Sequence, residues 1–128
     1  MNKKVTQEVF KLKCIDLQYK VNEEKGTVTA IETFTLPYSL WLRLTSQKSK
    51  DFTTIGVAKV NKEAGEVFNV EIGKKLARAK AEKEAFVQFK LMALEYREEA
   101  LRALQIANNT IEKMNDCILH QKEYIKSF

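Results

Sequence analysis

Histidine is almost missing from this chain. His120 is the only one in 128 residues, and it stands near the C-terminus in a helical run. One histidine cannot build a histidine-rich metal site, and His120 reads as an ordinary helix residue ahead of a triad base. Two cysteines, Cys14 and Cys117, lie far apart and lack zinc-site spacing. They are expected as reduced, mostly buried thiols. There is one proline, Pro37, and there are four glycines, the last being Gly73. No P-loop, GxGxxG or HExxH motif occurs. No catalytic residue, metal or cofactor is therefore expected. The first residues, MNKKVTQEVF, hold no signal-peptide core, and no apolar run approaches a membrane span. A cytoplasmic protein with no membrane partner is the expectation.

What is present is a globular composition, 45% apolar and 30% charged, in a chain the size of one domain. The net charge is +5, and it is uneven. Residues 1–65 carry 11 Lys+Arg against 7 Asp+Glu, whereas 66–128 carry 11 against 10. A basic N-terminal half favours anionic partners and excludes an acidic mimic of DNA.

The apolar pattern divides the chain at the same place. In residues 5–21, Phe10, Leu12 and Cys14 alternate on even positions. Ile15, Leu17, Tyr19 and Val21 alternate on odd ones. A phase flip inside a strand is the mark of a bulge. Residues 22–26 read as a turn, and 27–36, rich in Thr, Val, Ile and Phe, as the returning strand. After Pro37, residues 39–44 alternate again and read as a strand. A polar loop follows, then a strand over 52–60 with Gly56 inside it, then a polar turn over 61–65.

After Gly73 there are 55 residues without Gly or Pro, rich in Ala, Leu, Glu, Lys and Arg. That composition predicts helix, with Asn69 as N-cap and Glu71 in the first turn. Leu104, Ala107, Ile111, Met114, Ile118 and Ile125 form an apolar stripe at steps of three, four and seven. One helix over this stretch is roughly 80 Å long. Either it breaks near Asn108-Asn109-Thr110 and folds back, or it packs on a partner chain. A break combined with homo-oligomerisation through the C-terminal helices is expected. The fold class is thus α+β: one domain over 1–128, with an N-terminal antiparallel sheet in 1–65 and a long C-terminal helix or helical hairpin in 66–128.

Candidate binding residues gather where the two halves join. Phe52, Asn61, Lys62 and Phe68 lead into the helix, and Lys74 and Arg78 share a face of its first turns. Free N–H groups and cations there suit a phosphate. Trp41 or Phe52 supplies a stacking surface, and Arg43 a further cation. The expected ligand is an anionic nucleotide.

The residues Ile55-Gly56-Val57-Ala58-Lys59, then Phe68-Asn69, Gly73 and Ala77-Arg78-Ala79 resemble a sheet-then-helix module of small phage and prophage proteins, with the look of a double-stranded-RNA-binding-like fold. The turn here holds Lys62-Glu63 in place of that module's acidic pair. Among such phage proteins the general plan resembles the Thoeris anti-defence sponges. That resemblance implies a homo-oligomer that sequesters a cyclic ADP-ribose signal without cleaving it, in an infected bacterial host. It also implies a pocket of aromatic, Asn and Arg side chains, the residues of those types here being Phe52, Asn61 and Arg78. The alternative is a phage protein that binds nucleic acid or inhibits a CRISPR nuclease, with an open basic face and steep salt dependence.

Overall fold

A computed structural model describes residues 8–61 and 64–128. Its element order is β1 (Lys13–Asn22), β2 (Thr27–Thr35), α1 (Tyr38–Trp41), β3 (Asp51–Lys59) and α2 (Val70–Lys126). The three strands form one antiparallel sheet in the order β1-β2-β3. The chain divides into two compact units, Met1–Ala93 and Leu94–Phe128. The N-terminal antiparallel sheet followed by a long C-terminal helix is the α+β arrangement that the sequence pattern predicts.

The alternation of β2 sets the sheet's two faces. Val28, Ala30, Glu32 and Phe34 are buried on one side, and the intervening residues are half-buried on the other. The register of β3 opposes Phe34 to Phe52, Glu32 to Thr54, Ala30 to Gly56 and Val28 to Ala58, so the same face continues across both strands. β1 joins through Leu17 and Tyr19, opposite Glu32 and Ala30. Its register shifts between Cys14 and Asp16, at the phase flip read from the sequence. The turn back to β2 closes on Gly26, whose φ of 63° is the left-handed conformation that glycine adopts without strain.

The first part of α2 lies on this face with almost no side chain between helix and sheet. Ala77, Ala81 and Ala85 are fully buried and recur every four residues along one line of the helix. Gly56 lies beneath the Ala77 carbonyl and the Ala81 amide, where a β-carbon does not fit. Gly73 extends the line and meets Val28. Small residues on both surfaces thus set the distance of approach. The resulting core is Val28, Ala30, Ala58, Ala77 and Ala81, with Leu17, Tyr19 and Phe68 packed at its rim. Thr54, buried in that contact, donates from Oγ1 to the Ala81 carbonyl at 2.8 Å. Its hydroxyl is thereby satisfied inside an otherwise apolar layer. Lys80 reaches the sheet's β3 edge and donates to the Val57 carbonyl at 3.0 Å. A lysine at an edge strand discourages further strand pairing.

Three expectations need correction. Residues 39–44 are not a strand: Pro37 opens a helical turn, its carbonyl accepting from the amides of Leu40 and Trp41. Leu40 and Leu44 are buried while Leu42 is exposed. A spacing of four on one face is helical, and the alternation of three leucines hid it. The break near Asn108-Asn109-Thr110 is also not there, since helix continues through these residues. Asn108 and Asn109 are exposed, and Thr110 returns its hydroxyl to the Ile106 carbonyl at 2.7 Å, so none of the three draws the main chain out of the helix. Finally, Cys14 and Cys117 are free but exposed, not buried. Cys14 lies on an edge strand beside the bulge, and Cys117 lies in a stretch of α2, residues 100–128, whose side chains are all exposed. Among the described residues, no helix is long and apolar enough to cross a membrane.

Candidate functional site

The start of α2 is built as the sequence predicts. Asn69 accepts the Ile72 amide on Oδ1 at 3.1 Å, which caps the helix, and its carbonyl takes the Gly73 amide. Glu71 follows in the first turn. The strand end, the connecting loop and this first turn enclose a groove of about 390 Å³. Ala58, Phe68, Ile72 and Leu76 supply its apolar wall, and Lys59 and Glu66 its charges. The volume falls within the range of small-molecule sites.

The candidate residues do not converge on this groove. Phe68 lines it. Asn61 stands beside it, but its side-chain oxygen accepts the Ala64 amide and its own amide bonds to Glu66 Oε2 at 2.8 Å. Its polar groups therefore hold the loop. Lys62 lies outside the described residues. Phe52 sits at the other end of β3, buried and stacked on Phe34 with centroids 5.7 Å apart. Trp41 and Arg43 belong to the connection after β2 at that same far end. Trp41 donates its indole N–H to the Gln47 carbonyl and leans on Tyr38, whereas Arg43 is exposed.

Lys74 and Arg78 do share a face, and it looks down on the sheet. Lys74 Nζ is 5.3 Å from the centroid of the Tyr19 ring, a cation–π arrangement. Arg78 Nε donates to Glu82 Oε1 at 2.9 Å and stands 3.7 Å from Glu32 Oε1. Partial desolvation works against the Arg78 charge, but Glu32 and Glu82 hold its pKa above the ordinary value. The guanidinium is thus engaged by two carboxylates.

Glu32 is the residue that the sequence reading passed over. It is fully buried, and neither carboxylate oxygen has a hydrogen-bond partner. Burial pushes its carboxyl above the usual range. The Cys14 thiol and Arg78 pull it back, and Glu82 adds to the rise. The Cys14 thiol is itself pushed up, first by partial desolvation and then by Glu32, while its Sγ donates to the Asp16 carbonyl at 3.4 Å. A thiol held protonated is a poor nucleophile. The signal for Glu32 was legible: a carboxylate at an inward position of an alternating strand, between Ala30 and Phe34.

In class, the described residues make a three-stranded antiparallel meander with a small-residue helix laid on one face. No protein family matches the chain, and no curated protein or solved structure is similar to it. Among the described residues, no cluster of three or more His, Cys, Asp or Glu is placed to hold a metal ion.

Proposed function

We propose that this is a non-catalytic binding protein that takes an anionic nucleotide at the start of α2 and works as a homo-oligomer through its C-terminal helix. The observation that carries the ligand half of this reading is the groove beside the capped helix start. It pairs an apolar wall for a base or sugar with the positive end of a helix. Lys59 supplies its cation, beside Glu66, whereas Lys74 is held over Tyr19 and does not line it. Arg78 enters the reading in second place, because a phosphate there competes with Glu32 and Glu82. The sequence resemblance to Thoeris anti-defence sponges supplies the ligand class to try first, the cyclic ADP-ribose signals, sequestered and not cleaved.

The test is the melting temperature of the full chain with a panel of cyclic and linear nucleotides, followed by recovery of the bound nucleotide. Stabilisation by one of them, released intact, supports the reading. No stabilisation by any, together with nucleic-acid binding that weakens steeply as salt rises, overturns it in favour of an RNA- or DNA-binding protein.

A further inference from the structure

We infer that residues 104–128 form a parallel, in-register coiled-coil seam whose partner is a second copy of this chain. The inference deepens the oligomeric half of the reading above and is independent of the nucleotide half. It begins from the seven residue rows that a heptad repeat defines along this part of α2. Only one row is large and aliphatic throughout: Leu104, Ile111, Ile118 and Ile125. The row three residues on, Ala107, Met114 and Gln121, with Phe128 just past the helix end at Lys126, completes a seam at alternating steps of three and four. The row on the opposite side of the helix is Arg102, Asn109, Asp116 and Glu123, polar without exception. A repeat of seven, not the 3.6-residue period of a straight helix, is what winding around another helix requires. Within the helix, which ends at Lys126, it runs for a little over three heptads, enough for a sustained coil.

The seam is exposed in the single chain. Ile111 is 59% accessible, Ile118 52% and Ile125 63%. Charge is compatible with a second copy as the occupant. Residues 104–128 hold three acids, Glu112, Asp116 and Glu123, and three bases, Lys113, Lys122 and Lys126. Two copies therefore meet without net repulsion. In a parallel pair the flanking positions place Thr110 against Asn115, and Cys117 against Lys122, of the other copy, so no like charges face one another.

Gln121 sets orientation and register. It is the one polar residue in the seam, and a buried amide needs a partner. Parallel and in register, it meets its own copy and the two amides bond. Shifted by a heptad it faces Met114 or Phe128, and in an antiparallel pair it faces the aliphatic row unless the seam is cut short.

The test uses the full chain with Cys14→Ser and Cys117→Ser, carrying Met114→Cys. Under mild oxidation the inference predicts a disulfide-linked dimer in high yield, and little linkage for Lys113→Cys, which points away from the seam. Ile118→Glu in the wild-type chain is predicted to give a monomer whose sheet unit melts unchanged. Unlinked protein that is still dimeric contradicts the orientation and register. A wild-type chain that stays monomeric contradicts the seam itself and removes the oligomeric half of the proposed function, while leaving the nucleotide half standing.

Discussion

Gly56 of β3 lies directly beneath the Ala77 carbonyl of α2, so close that no β-carbon fits between them. The obstacle is backbone on the helix side, which cannot swing away as a side chain can. Gly56→Ala must push α2 off the sheet or bend β3. It is expected to cost on the order of 3 kcal/mol, read as a lower denaturant midpoint with an unchanged slope. Ala58→Gly, in the same strand, is expected to cost less, because it opens a small space without a clash.

The buried carboxylate makes stability depend on pH in a particular direction. Glu32 is held above its ordinary pKa, chiefly by burial. Between the ordinary value and the raised one, the folded chain keeps a proton that the unfolded chain has released. Stability is therefore greatest below that window and falls as pH rises through it. Thermal melts from about pH 4 to about pH 8 should show this fall, and Glu32→Gln should flatten it.

Cys14 reports on the same carboxylate. Its thiol is pushed up by partial desolvation and by Glu32, so alkylation at neutral pH should be slow. Glu32→Gln should speed it by removing the negative charge that opposes thiolate formation. The rate at Cys14 in the two proteins, followed by mass spectrometry, checks this. An unchanged rate would place the thiol outside the influence of Glu32.

Most of the scaffold was legible because it is written in periodicity. The phase flip after Cys14 became the register shift of β1, and Asn69 became the N-cap. The turn after Pro37 was misread because Leu40, Leu42 and Leu44 satisfy a strand's alternation, while their burial follows a helix's spacing of four. The expected break at Asn108-Asn109-Thr110 rested on the length of the helical run, and the side chains there leave the backbone ladder intact, Thr110 by bonding back to the Ile106 carbonyl. The candidate site was less legible. Phe52 and Asn61 are near in sequence, but the extended strand β3 runs between them and holds them apart. Arg78 read as a free cation because its partner Glu32 lies 46 positions earlier in the chain, on a strand whose register only the fold supplies.

The account's central claim is that this is a binding protein assembled by its C-terminal helix, and molar mass tests it most directly. Sedimentation equilibrium of the full wild-type chain at physiological salt should give twice the 14.8 kDa of one copy, with the mass falling toward one copy only on dilution. A mass of one copy at every concentration would contradict the account.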